Sequence, residues 1–158
     1  MCETMNGSWG FNIIDQNYKS VKKLVQTMVR AAGFGANFLL NTGPMPNGKI
    51  QPENVDTLMA IGQWLELHGE SIYGTRKGPV EPQEWGATTQ KGDVVYVHVL
   101  DFAGGDLVIP GFEAKVKSAS FFDDGSGLKV KKTKEGIILN IPKEKIQEID
   151  TVIVLTLK

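Results

Sequence analysis

Histidine occurs twice and cysteine once in 158 residues, and these scarcities exclude a good deal before any motif is sought. Cys2 has no partner for an internal disulfide, so cysteine usage leaves the redox compartment open. His68, His98 and Cys2 cannot complete a four-ligand zinc site from this chain. Carboxylates leave hard cations open in principle, but neither a metal nor any other cofactor is expected. Charge of one sign is also lacking: 17 Lys+Arg stand against 18 Asp+Glu, with a formal net charge of −1. The charges are interspersed, so neither a phosphate backbone nor an acidic membrane surface is an expected partner. Long apolar runs are missing as well. The segments 37–42 and 94–100 fall far short of the roughly 20 residues of a membrane helix, and the N-terminus lacks the charged start and apolar core of a signal peptide. The composition reads as a soluble globular chain with room for one core or two small ones.

Periodicity divides the chain near residue 78, where Lys77-Gly78-Pro79-Val80-Glu81-Pro82 reads as an extended connector. Before it, Ser20 is a helix cap, and Val21, Leu24, Val25, Met28, Val29 and Ala32 recur on one face of a 3.6-residue repeat. Gly33 is expected to end that helix as a residue of positive φ. Asn37-Phe38-Leu39-Leu40-Asn41 lacks alternation and reads as a strand buried on both faces, followed by a Pro/Gly-rich loop over 42–48. A second helix starts at Pro52, with Val55, Leu58, Met59, Ile61 and Leu65 on or near its inner face and Gly69 at its end. Helix, strand, loop, helix is a piece of a parallel α/β layer, and a parallel strand needs neighbours. The end of one further strand is sought near Phe11-Asn12-Ile13-Ile14. Residues 1–78 therefore read as the end of a larger domain.

Residues 79–158 read as β throughout. Strands are expected at 94–100, 107–109, 114–122, 128–133, 137–141 and 151–157, separated by Gly, Pro, Asp or Lys-rich turns, as in an antiparallel β-sandwich. Asp123-Asp124-Gly125-Ser126-Gly127 is one such turn, without the alternating ligands and closing glutamate of a calcium loop.

Few residues carry recognisable chemistry. Gly33-Phe34-Gly35 follows a helix instead of opening one, so it is no phosphate loop, and there is no nucleophile elbow. His68, near a helix C-terminus, and His98, on the Tyr96/Leu100 side of a strand, read as structural or solvated. Glu66 and Glu70 sit four apart at a helix end and read as solvated. The opening loop differs. Asn6, Ser8 and Trp9, flanked by Gly7 and Gly10, bring together an amide, a hydroxyl and a flat apolar ring. That set suits sugar recognition, and it equally suits a tryptophan filling a gap beneath its own loop.

Four blocks carry a family resemblance: Glu3-Thr4-Met5-Asn6-Gly7-Ser8-Trp9-Gly10-Phe11-Asn12; Asn37-Phe38-Leu39-Leu40-Asn41-Thr42-Gly43-Pro44 with Asn47-Gly48; Ile61-Gly62-Gln63-Trp64-Leu65; and Gly69-Glu70-Ser71-Ile72-Tyr73-Gly74-Thr75-Arg76. In this order and spacing the chain resembles the C-terminal part of the α-L-fucosidase family of retaining glycoside hydrolases. The resemblance is dense over 3–76 and architectural over 79–158, since family members carry a C-terminal β-sandwich.

The resemblance implies that residues 1–78 are the last βα units of a (β/α)8-type barrel and that 79–158 form the sandwich. It implies that Trp9 packs against the fucose ring and its methyl group, with Asn6, Ser8 and Asn41 supporting the pocket. The family's nucleophilic aspartate, acid/base glutamate and sugar-binding histidines have no matching positions here, so no catalytic residue is expected within 1–158. Glu3 does not align with the acid/base. The implied partners are a fucosylated glycan and either the missing barrel segment or other copies in an oligomer, and the chain is expected to be inactive alone. Family members are often secreted, periplasmic or lysosomal, which leaves the compartment open. The alternative is a non-catalytic carbohydrate-binding or docking module, for which Trp85 and the Phe121/Phe122 pair are the aromatic candidates unless they serve packing.

Overall fold

The computed structural model describes residues 1–158. Two helices and a two-stranded parallel sheet precede two antiparallel sheets. Strand β1 (Cys2–Thr4) pairs in parallel with β2 (Leu39–Asn41), Cys2 opposite Leu39 and Thr4 opposite Asn41. Helix α1 (Val21–Gly33) connects them, and α2 (Pro52–His68) follows β2. The parallel partner of 37–41 is therefore the start of the chain. The Phe11–Ile14 segment forms no strand, and Ile13 and Ile14 are exposed.

Helix α1 follows its sequence closely. The Ser20 side chain accepts from Lys23 N at the N-terminus, and Leu24, Val25 and Val29 are buried. The expected ending is corrected. Gly33 is the last residue of the helix but does not take positive φ: an added Cβ would stand 2.7 Å from the Ala87 Cβ, and Gly35 is the residue that takes positive φ, at +72°. Gly33 is small because a neighbouring strand crosses it closely.

Two further expectations fail in the same way. Strand β2 is not buried on both faces: Leu39 is 56% exposed. On α2 the buried residues are Asn54, Ile61, Trp64 and His68, whereas Val55, Leu58 and Met59 face outward with Leu67. That helix is apolar on more than one side, so its pattern alone did not say which face meets a partner.

The β part contains β3 (Arg76–Lys77), β4 (Gly86–Lys91), β5 (Val94–Val99), β6 (Gly105–Pro110), β7 (Val116–Phe121), β8 (Val130–Lys132), β9 (Gly136–Ile141) and β10 (Thr151–Leu157). The order in one sheet is β3-β4-β5-β10-β7 and in the other β6-β9-β8, with every pairing antiparallel. Alternating side chains of both sheets meet in a cluster of fourteen buried residues that includes Val97, Ile109, Phe112, Leu139 and Ile153. A second cluster of eight joins Met5, Leu24, Val25, Val29, Ile61 and Trp64 to Ala87 and Leu100 of the β part.

Polar contacts reinforce that junction. Gln26 of α1 donates to the carbonyls of Leu100 and Ile149, both at 2.9 Å, and Arg30 donates to those of Gln83 and Glu84. Beyond α2, Thr89 Oγ1 donates to Ser71 O at 2.6 Å and Tyr96 Oη to Glu70 Oε1 at 2.8 Å. The two histidines belong to this system. His68 stacks on Trp64 and places Nε2 2.8 Å from Asp123 Oδ1. His98 is fully buried between Asp150 Oδ2 at 2.6 Å and Thr89 Oγ1 at 3.3 Å. Acid, imidazole and hydroxyl stand in line there as in a hydrolytic triad, but the hydroxyl is sealed in and bonded to a carbonyl, so the arrangement is a structural strut.

Candidate functional site

Strands β1 and β2 run in parallel, so the loops that follow them emerge at the same end of the sheet. The loop after β1 carries Asn6, Ser8 and Trp9, and the loop after β2 begins with Thr42 and Gly43. They touch: a Cβ on Gly43 would lie 2.4 Å from both Gly10 C and Phe11 N, so the approach requires glycine.

A network of short polar side chains holds the Trp9 loop in place. Asn41 Nδ2 donates to Trp9 O at 2.7 Å and to Thr4 Oγ1 at 3.3 Å, and Thr4 Oγ1 donates to Ser8 O at 3.0 Å. Asn54 of α2, 1% exposed, donates to Asn6 Oδ1 at 3.0 Å and to Thr42 Oγ1 at 2.7 Å. At the other end of the loop, Asp15 accepts from Ser8 N at 2.7 Å and Asn17 N at 3.0 Å. Most of these groups come from β1, β2, their following loops and α2, and together they satisfy polar atoms that burial would otherwise penalise. Trp9 itself stays 58% exposed. A large ring with no core of its own, clamped by its own carbonyl, is presented to whatever lies outside.

The candidate residues thus separate by position. Trp9 faces out, Ser8 is half-buried with its hydroxyl accepting from Asn12 Nδ2 at 3.4 Å, and Asn6 is buried beneath the loop. Asn41 fastens the loop from β2. Asn54 and Asp15 complete the clamp and were not legible in the sequence. Asn54 occupies an outwardly polar position of a helix, and only its burial next to Asn6 reveals its part.

The carboxylates near the loop are already engaged. The Lys19 ammonium, 2.6 Å from Glu3 Oε1, holds the Glu3 carboxyl below the usual carboxylate range, helped by Thr4 N–H. Backbone N–H groups, that of Asn17 first, do the same for Asp15. Both are stabilised as anions by fixed partners, the opposite of what a protonated general acid requires. No group of three or more His, Cys, Asp or Glu is arranged to hold a metal ion, and no helix is long and apolar enough to cross a membrane.

The aromatic candidates of the alternative reading are accounted for by packing. Trp85 and Phe121 are buried, at 9% and 6% exposure, and Phe122 packs against His68 and Tyr96. These rings do not form an exposed sugar platform.

The family model "Alpha-L-fucosidase" matches residues 1–70. The α-L-fucosidase of Dictyostelium discoideum is 31% identical over 154 residues, spanning 89% of this chain and 33% of that protein. Among solved structures, α-L-fucosidase isoenzyme 1 from Paenibacillus thiaminolyticus superimposes with a TM-score of 0.88 at 34% identity, covering 99% of this chain and 39% of that one. A trapped covalent intermediate of an α-L-fucosidase from Bacteroides thetaiotaomicron superimposes with a TM-score of 0.85 at 26% identity, over 99% and 37%. The chain is thus similar to a part of the α-L-fucosidases and spans about a third of the length of the curated relatives it matches.

Proposed function

We propose that this chain serves as the C-terminal part of an α-L-fucosidase-type glycoside hydrolase acting on terminal α-linked L-fucose with retention. On this reading residues 1–78 are the closing βα units of a (β/α)8-type barrel and 79–158 are its β-sandwich. The observation that carries it is the pair of touching loops at the C-terminal ends of β1 and β2 with Trp9 held outward between them, because active sites of such barrels lie at that end of the strands. The indole face would cover the apolar side of the sugar, while Asn6, Ser8 and Asn41 keep it at a fixed height. The Bacteroides relative was trapped as a covalent intermediate in complex with 2-fluoro-fucosyl fluoride, which supports retention through a glycosyl-enzyme.

Retention needs two carboxylates about 5–5.5 Å apart, one nucleophile and one acid/base. Glu3 and Asp15 are committed to Lys19 and to backbone N–H groups, and on this reading the reactive pair comes from polypeptide outside residues 1–158. The exposed apolar residues of the α/β part support the same conclusion. Leu39 on β2 and Val55, Leu58, Met59 and Leu67 on α2 face outward, as neighbours of further βα units would.

The test has two arms. The 158-residue protein is expected not to hydrolyse an aryl α-L-fucoside, and turnover by it would overturn the assignment of the carboxylates. Supplied with the upstream barrel segment of the Paenibacillus relative, it is expected to gain turnover, and Trp9→Ala in that mixture is expected to raise KM. A mixture that gains turnover with an unchanged KM in the variant would remove Trp9 from the sugar site.

A further inference from the structure

The two sheets of the β part come apart at one corner. Strand β7 is zipped along its outer edge to the segment that follows it, with Leu128 N donating to Ala119 O at 2.9 Å and Ser120 bridging Gly127. The partnership stops there because Val130–Lys132 departs to pair with β9 in the other sheet. At the same level β7 carries an extra residue: Thr156 faces Ser118 but Leu157 faces Val116, leaving Lys117 over. A bulge of this kind bends the strand that bears it. The diverging edges leave a slot of about 350 Å3 between the sheets.

The slot has an apolar floor and a cationic rim. Ala114, Val116, Val130 and Ile137 form the floor, and Ile137, 1% exposed, belongs to the sandwich core. Lys115, Lys132 and Lys158 form the rim, against the Glu113 side chain. Lys132 spends its ammonium on the carbonyls of Phe112 and Glu113. Lys115 and Lys158 pair with no carboxylate. Three lysines line the slot against one glutamate, so the local field is positive on a chain whose net charge is −1.

We propose that this slot binds a small amphipathic carboxylate, its aliphatic body lying on Val116, Val130 and Ile137 and its head group between the Lys115 and Lys158 ammonium groups. The volume lies within the range of small-ligand sites, and no aromatic ring lines it to favour a sugar face. Charge distinguishes the slot from the other exposed apolar surface of the molecule. The outer face of α2 has Glu53, Asp56 and Glu66 on the helix and no Lys or Arg, so it repels the ligand that the slot attracts. Nothing in this slot depends on the fucosidase reading.

Octanoate titrated into the intact 158-residue protein at low salt, followed by amide chemical shifts, tests it. Saturable shifts are expected at 114–117, 130–132, 137 and 158, weakening as salt is added. Lys158→Glu, at an exposed position, and Lys115→Glu are each expected to weaken binding roughly tenfold. Val130→Trp, which fills the slot and keeps every charge, is expected to abolish it. If Val130→Trp fails to fold, the two lysine variants decide alone. Octan-1-ol binding as tightly as octanoate would overturn the proposal. So would shifts centred on Val55, Leu58 and Met59, affinity unchanged in both lysine variants, or no saturable shift up to about 10 mM.

Discussion

The α/β part and the β part of this chain close their cores to very different extents. Of the twelve exposed large hydrophobic residues, eleven fall between Met1 and Tyr73, and Val108 alone lies in the sandwich. The fourteen-residue cluster of the sandwich draws on no residue before Val80, whereas the eight-residue cluster of the α/β part borrows Ala87 and Leu100 from the sandwich. Two sheets facing each other bury both inner faces at once. A two-stranded parallel sheet with two helices leaves both sheet edges and part of its helical surface uncovered, and its core is closed by the sandwich. Loop positions in the α/β part are fixed instead by amide and hydroxyl contacts, which act over a few residues and need no large core.

The largest expected effect breaks or keeps this contrast directly. Leu139, fully buried in the sandwich, is expected to cost about 2–5 kcal/mol on replacement by alanine, the usual range for a core leucine. Leu67, 71% exposed on α2, is expected to change stability by less than about 0.5 kcal/mol on the same replacement. Urea unfolding of the two variants measures both. Equal losses would mean that the outer face of α2 is covered in the isolated chain and that the two parts do not differ as described.

The sequence was most informative where a periodic pattern and a local signal agreed. Ser20 with Leu24, Val25 and Val29 located α1, and the alternation of Val95, Val97 and Val99 located β5. It was least informative where the same residues admit two environments. The 37–41 run has the composition of a strand buried on both faces, but burial depends on neighbours that these residues do not encode, and Leu39 is exposed. Strand β4 was not among the expected strands because Gly86-Ala87-Thr88-Thr89 has no large apolar side chain, although Thr88 and Thr89 are fully buried. Gly33 ends α1 as expected, but glycine is needed there for the close approach of Ala87 and not for a positive φ. In the site, the four matching blocks pointed to the aromatic loop and to Asn41 as pocket support, but not to the hydrogen bond from Asn41 to the Trp9 carbonyl. Asn54 could not be anticipated, since nothing in its helix distinguishes a buried amide from a solvated one.

A smaller effect sharpens the polar side of the comparison. Asn54→Ala removes the donor to both Asn6 Oδ1 and Thr42 Oγ1 and leaves the buried Asn6 carbonyl without that partner, at a cost of about 1–3 kcal/mol. The distinctive readout is local. Amide hydrogen exchange is expected to accelerate over residues 6–10 while β5 and β10 in the sandwich keep their protection. Uniform acceleration across both parts would show that the Trp9 loop is coupled to the whole fold and not clamped by its own network.

The smallest effect concerns the seam between the parts, where Tyr96 of β5 donates to Glu70 just after α2 at 2.8 Å. Burial first, and then the Glu70 carboxylate, push the Tyr96 phenol up to about 12, above its unfolded value of about 10. A group whose pKa is raised by folding contributes stability that is complete below the unfolded value and is lost as pH rises through the folded one. The native chain is therefore expected to lose this contribution between about pH 10 and about pH 12. Tyr96→Phe removes the hydrogen bond and costs about 1 kcal/mol near neutrality, but it also removes the titration. Lysine deprotonation falls in the same window and is common to both proteins, so the difference between their melting temperatures isolates the phenol. That difference is expected to shrink from about pH 9 to about pH 12. A constant difference would mean that the Tyr96 hydroxyl is solvated and that the seam rests on Gln26, Arg30 and Thr89 without it.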